Sequence, residues 1–538
     1  MVYVQQLYPL SNVYADIFLA LTPILVLFIL LMLFKKSAWL SAAIAGIATA
    51  IIGLSIWHAD LTDLGYEFLV GAFDGELYVA WIAFWGLVFF NTLVYTGKFN
   101  MFEYWVVRNA TDDIRIQAFL IGWTFNALWE GLVGFGFPWA IVTPILVALG
   151  YEESKAIKVA ALANTTPTNY GGLGTPILIL AEVTGLPLLA VSAAAAKFLT
   201  ILSMVPILTV IYLVDGFRGI KDIWPLIVVG YVSFAIPFYM VAAYVGPFLP
   251  DVIASLVSFG VCLLFLRYWK PRNIVRAPTK SNNIETILGN KTVSKSQIGK
   301  GVLQTWIAFF LMIIIVTAWT GPWSPLGTYK MFVIGLKAYA QIYHKIEQYT
   351  MVFNPFAPGT AIMVSWLATL PILGAGFSTI VKSIKTAIRQ YWGGILTAFF
   401  AVGMAFDFNY VGMPYTLAVN TKFLGALAYL LVSPLLGWIG CALTGSDTVS
   451  NTLFGLFQLA VARILHFPIY LTVALNSAGA ATGKPVSPTT LAAGTATSSF
   501  ARREGIVARA NLPWTILFVF ILAIIGILMY LFAPYLFM

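Results

Sequence analysis

Residues 164–176 read NTTPTNYGGLGTP, and residues 476–488 read NSAGAATGKPVSP. Each stretch opens on Asn, closes on Pro twelve positions later, and packs Gly, Pro, Ser and Thr into otherwise apolar chain. Gly and Pro break helical hydrogen bonding. At membrane depth such breaks are tolerated only where the freed amides and carbonyls line a polar cavity or are buried in protein. Two breaks of matching length, one in each half, point to discontinuous helices that meet at a binding site. Taken singly, either stretch could equally be a proline kink or a small-residue packing seam.

The surrounding composition supplies the membrane. Of 538 residues, 60% are hydrophobic and 9% charged, and mean hydropathy is +0.90, far from the balance of a water-soluble domain. Most of the apolar runs at 17–34, 39–57, 198–214, 252–266, 302–319 and 514–538 are long enough as helices to cross roughly 30 Å of hydrocarbon. A barrel would show shorter, alternating segments. The expected fold is therefore an all-α polytopic membrane protein with about 12 transmembrane helices plus broken or re-entrant ones.

The amino-terminal MVYVQQLYPLSN carries no Lys or Arg, so no cleaved signal peptide is expected. Cys262 and Cys441 lie in separate apolar segments and imply no disulfide framework. The formal charge of +9 resides mostly in loops between spans, the bias of cytoplasmic loops rather than a nucleic-acid surface. Lys35 and Lys36 follow the first span, whereas the next loop carries Asp60, Asp63, Glu67, Asp74 and Glu76 without a cation. This places the N-terminus outside.

The longest polar stretch, 267–300, holds eight Lys and Arg residues and is expected as a basic cytoplasmic loop. It separates a first half, 1–266, with broken segments near 126–145 and 164–177, from a second half, 301–538, with broken segments near 443–458 and 476–489. The order recurs: Glu130 in FNALWEGLVGFGFPWAIVTP precedes Asn164, and Asp447 in CALTGSDTVSNTLFGLFQLA precedes Asn476. We expect two structurally related, inverted repeats with a site between them.

Glu130 lies among apolar and aromatic neighbours, where an ionised carboxylate is costly unless paired or wetted. It is the first choice for a coupling proton, unless it is a loop acid at the membrane surface. Asp447, the second choice, is surrounded by Thr444, Ser446, Thr448, Ser450 and Asn451; Ser446 or Asp447 could also simply cap a helix. Lys484 either neutralises a bound carboxylate or marks a helix end at the cytoplasmic face. Asp407 is a further acid in an apolar region, and Arg463 and Glu182 either pair or sit at membrane surfaces. His58, His344 and His466 are scattered, and no HExxH, CxxC, Walker A or GxGxxG motif occurs. No enzyme, metal site or cofactor is expected.

With those residues in view, the chain resembles the lactate permease family over nearly all its length. The segments that carry the likeness are WEGLVGFGFP (129–138), NTTPTNYGGLGTPI (164–177), DGFRGIKDIWP (215–225), GPFLPDVIASLVS (246–258), LTGSDTVSN (443–451) and TGKPVSP (482–488). The resemblance implies uptake of L-lactate, with D-lactate and glycolate as related substrates, by proton symport across a prokaryotic cytoplasmic membrane. The substrate carboxylate would then sit against Asn164, Thr165, Thr175, Ser446, Asn476, Ser477, Lys484 and Ser487, and the expected partners are a small monocarboxylate, a proton and membrane lipid. A sodium-coupled carrier, with Asp447 holding the cation, and an uncoupled carboxylate channel or receptor are the rival readings. The chain departs from the family at Leu132, Val133 and Phe137, which make EGLVGFGFP bulkier than EGAAGFGAP, and at Asn169, Tyr170 and Pro485. These changes bear on which monocarboxylate is carried.

Overall fold

The computed structural model describes residues 2–109, 111–134, 137–276, 295–327, 329–495, 500 and 503–538. Phe135 and Gly136 of GFGFP, and 277–294 of the basic segment, fall outside the described residues, as does the side chain of Phe137. Among the described residues, nine stretches of helix are long and apolar enough to span a bilayer. The number understates the crossings, because Leu188–Tyr244 runs for 57 residues, about 85 Å of helix against about 30 Å of hydrocarbon. Large apolar side chains such as Ile47, Ile51, Phe217, Ile314 and Phe520 are exposed, as expected of helices whose outer faces meet lipid rather than water.

One helical kink has a definite cause. Asp215 and Gly216 leave helical geometry inside Met204–Tyr244, and the fully buried Arg115 gathers the chain around them. Its guanidinium bonds Asp113 at 2.7 Å, Asp222 at 2.9 Å, Asp215 at 3.2 Å and the Asn273 carbonyl at 2.6 Å. The DGFRGIKDIWP segment thus supplies two carboxylates to a structural clamp, while Arg218 within it is largely exposed.

A three-stranded sheet interrupts the helices, an element that the all-α expectation did not include. Strand β1 (Tyr3–Gln5) pairs parallel with β2 (Phe332–Ala340), which pairs antiparallel with β3 (Lys345–Phe353), Phe332 facing Phe353. His344, at φ +52, turns the ribbon. Gln5 pins it to the helices by donating to the Tyr349 hydroxyl at 2.8 Å and to the carbonyls of Asn409 and Tyr410 at 3.0 and 2.8 Å. Arg463 reaches Glu347 on β3 at 3.6 Å and lies over the Tyr343 ring, so its ion-pair partner is Glu347 and not Glu182. Asp407 is buried on the Phe377–Val411 helix, beside the Glu67 carboxylate, which accepts the β2 amide of Leu336.

Each half contains a helical hairpin followed by a broken helix. The first hairpin is Asn126–Leu132 and Phe137–Ala148; the first broken helix is Glu153–Ala163, a 3-10 turn at Thr166–Tyr170, and Gly171–Thr184. The second hairpin is Gly425–Thr444 and Asp447–Ile464; the second broken helix is Ile469–Gly483, a 3-10 turn at Lys484–Val486, and Pro488–Thr495. The breaks differ in kind. In the first, Gly172, Leu173 and Gly174 are all left-handed, with φ of +52, +57 and +74, a conformation that costs a residue such as Leu about 1–2 kcal/mol. The second is milder, with Ser487 extended between the 3-10 turn and Pro488. The matched Asn-to-Pro spacing is also not matched geometry: Asn164 ends a helix, whereas Asn476 lies well inside one.

Candidate functional site

The four chain breaks converge. Gly134 from the first hairpin, Thr168, Gly171, Gly172, Thr175 and Pro176 from the first broken helix, Gly445–Thr448 from the second hairpin and Lys484 from the second broken helix surround one cavity, with Glu130. The cavity holds about 30 Å³, room for one or two waters.

Glu130 and Lys484 form an ion pair across this cavity, with exposures of 2% and 5%. The other Glu130 oxygen accepts from the Asn164 side chain at 3.0 Å, and Asn164 donates also to Asn126 Oδ1 at 3.1 Å. Glu130 therefore has a cation on one oxygen and an amide donor on the other, the condition that makes a buried carboxylate tolerable. Behind it, Trp129 meets the rings of Phe90, Phe99, Phe125 and Phe309 edge-on at 5.1–5.8 Å, which keeps that side of the short helix dry. Gly171 is required opposite, since a methyl there would overlap the Glu130 carboxylate.

Asp447 stands in contrast. It is 3% exposed, and neither carboxyl oxygen has a hydrogen-bond partner within the protein. It opens the Asp447–Ile464 helix, whose N-cap Ser446 takes the Val449 amide at 3.2 Å. The remaining first-turn amides belong to the positive end of the helix dipole, and Ser446, Asp447 and Thr448 all line the cavity. Thr175 donates to the Gly172 carbonyl at 2.6 Å and fixes the left-handed turn. A helix start, a lysine and the Ser446 and Thr448 hydroxyls around one small space can receive a small anion.

Of the residues singled out from sequence, Glu130, Thr175, Ser446, Asp447 and Lys484 line the cavity, and Asn164 stands directly behind Glu130. Thr165 is buried with its hydroxyl unbonded and does not line the cavity. Ser487 lies within 3.2 Å of the Thr489 hydroxyl, outside it. Asn476 and Ser477 belong elsewhere, in an amide network that ties helices together. Asn451 donates to the Pro176 carbonyl at 3.0 Å and to Ser477 at 2.9 Å, Asn476 donates to Asn451 at 3.1 Å, and Asn169 donates to Ser477. Gln458 extends the network to Asn476, Ser433 and Tyr429.

Sequence reasoning passed over Asn126, took Asn451 only as a polar neighbour of Asp447, and passed over Asp251. The first two had a signal, because each lies four residues from an acid, Glu130 or Asp447, on the same helix face. Asp251 is fully buried with both oxygens unbonded, and its Cβ packs on Gly131 next to Glu130. Its local sequence is that of any acid in the first turn of a helix, and only tertiary packing brings it to the site.

A family model described as L-lactate permease matches residues 16–533. The glycolate permease of Escherichia coli is 32% identical, with 97% of each chain covered. The L-lactate permease of Bacillus subtilis is 30% identical over 96% of each chain. Among solved structures, the YdaH transporter of Alcanivorax borkumensis aligns with 88% of this chain and 90% of its own, at a TM-score of 0.47 and 16% identity.

Proposed function

Since the chain belongs to the L-lactate permease family, we propose that it takes up L-lactate, and the related D-lactate and glycolate, by proton symport, with its N-terminus outside the cell membrane. The observation that carries the coupling is the Glu130–Lys484 pair at the small cavity. The space is too small for a monocarboxylate of five or six heavy atoms, so substrate binding must open the pair. The substrate carboxylate takes the Lys484 ammonium, assisted by the first-turn amides at Ser446–Thr448, and Thr175 faces its 2-hydroxyl. A site that bonds that hydroxyl rejects analogues lacking it. Glu130, stripped of its cation in a dry pocket, becomes neutral by taking up a proton.

Proton and substrate therefore favour one another, because each relieves the charge imbalance that the other creates. A mutual coupling of about 1–3 kcal/mol gives a 5- to 150-fold dependence. Asp447, without a donor, is most stable protonated beside the bound anion and would repel it if ionised. Glycolate lacks the lactate methyl, and the relatives carry both names; competition between the two for uptake ranks them.

The test is uptake of labelled L-lactate into proteoliposomes under an inward proton gradient, under an inward sodium gradient, and with neither. Proton-driven accumulation that Glu130→Gln loses while it still exchanges lactate supports the reading. Accumulation driven by sodium alone, or unaltered in Glu130→Gln, removes it.

A further inference from the structure

Beyond the tip of the second hairpin lies a second space, a cleft of about 380 Å³ between the Phe377–Val411 helix and the last part of the second broken helix. Its walls are rich in hydroxyls and side-chain amide, including Gln390, Thr397, Thr444, Thr452, Thr489 and Thr490. Gly445, Ser446 and Thr448 line both this cleft and the site cavity. A single turn of backbone separates the two.

The turn is hydrogen-bonded within its own hairpin, but few bonds hold it to the last part of the second broken helix. Thr489 donates its hydroxyl to the Thr444 carbonyl and Thr490 to the Gly445 carbonyl, each at 3.2 Å, beyond the usual range for O–H···O bonds. Gly445 is left-handed at φ +79, and a methyl there would overlap the Thr489 hydroxyl. The contact is thus backbone against side chain, close and weakly latched.

On the opposite side a vestibule of about 390 Å³, lined by Tyr78, Glu182, Ser324 and Lys330 among others, shares no residue with the site cavity. The site cavity thus shares lining with the hydroxyl cleft and none with the vestibule. Ala38, at the mouth of the hydroxyl cleft, follows Lys35 and Lys36 in sequence, which marks that face as the cationic one.

We propose that the hydroxyl-lined cleft is the passage by which the monocarboxylate moves between the site and the face bearing Lys35 and Lys36, and that the Thr444–Ser446 turn is its gate. Neutral donors suit this passage, the Gln390 amide and the Ser446 and Thr448 hydroxyls among them, because they bond a carboxylate without holding it by a fixed charge, so the anion is solvated and still released. The identity of the occupant rests on the function proposed above; the passage and gate do not.

Ser446→Cys and Thr397→Cys are each labelled with a membrane-impermeant thiosulfonate in right-side-out and in inverted vesicles, against the unsubstituted chain, whose two thiols are buried. Both variants should react from the inverted, cytoplasmic side. Thr489→Val with Thr490→Val should speed labelling of Ser446→Cys several-fold and leave Thr397→Cys unchanged, and L-lactate should slow Ser446→Cys. Where Ser446→Cys fails to fold, Thr448→Cys reports the same position. Labelling from the outer face alone, no labelling from either face, or indifference to the latch substitutions overturns the proposal. Retained sidedness and latch effect without protection by lactate would overturn the substrate reading and leave the gate standing.

Discussion

At the scale of single residues, the site turns on one shared cation. Lys484 serves Glu130 in the closed state and would serve the substrate in the loaded one. Lys484→Ala should raise KM for lactate roughly thirtyfold or more, because truncating one partner of a buried charge pair costs about 2–5 kcal/mol. Uptake kinetics in vesicles check this. Acid should lower KM in the parent protein, since protonated Glu130 no longer competes for the lysine. In Glu130→Gln that pH dependence should vanish, and a retained dependence would move the proton to Asp447 or Asp251.

At the scale of elements, two broken helices are positioned by different forces. The first depends on backbone that only glycine adopts without clash: a methyl on Gly174 would meet both a φ of +74 and the Pro247 carbonyl, and one on Gly171 the Glu130 carboxylate. Gly171→Ala should abolish uptake while leaving helix content intact by circular dichroism, because it displaces one carboxylate and no helix. The second depends on amides. Asn451→Ala unpairs the Asn476 side-chain NH2 and the Pro176 carbonyl and leaves Ser477 to Asn169 alone, each unpaired group costing about 1–3 kcal/mol when buried unbonded. Its signature should be a lower unfolding temperature in detergent with little change in substrate preference, which is opposite to the expectation for a residue that touches substrate.

At the scale of the whole molecule, distant pieces of chain are fastened at each end. Arg115 joins Asp113, Asp215, Asp222 and the Asn273 carbonyl. Its loss leaves buried Asp113 without a cation, a cost of about 3–5 kcal/mol. Arg115→Ala should therefore reduce the yield of folded protein in the membrane, read by size-exclusion of the solubilised chain, more than any single site substitution. At the other end Gln5 holds the sheet to the Phe377–Val411 helix through two carbonyls. Gln5→Ala should expose the β2–β3 ribbon to proteolysis while lactate exchange persists.

Membrane class, helical architecture, a break in each half and the acids beside those breaks were all legible in the amino-acid order alone. These follow from composition and from the local chemistry of Gly and Pro, which act without reference to distant chain. Even the ribbon at 332–353 had a local signature, runs of β-branched and aromatic residues about a short turn, which a search for helices passed over. The pairing of Glu130 with Lys484, 354 residues apart, had no local signature at all. Nor did the placing of Asn476 and Ser477 in a packing network, or of Asp251 against Gly131. Which polar group faces the cavity and which faces a neighbouring helix depends on how the helices rotate against one another. That rotation is fixed by side-chain packing summed over the interior, and only the tertiary structure decides it.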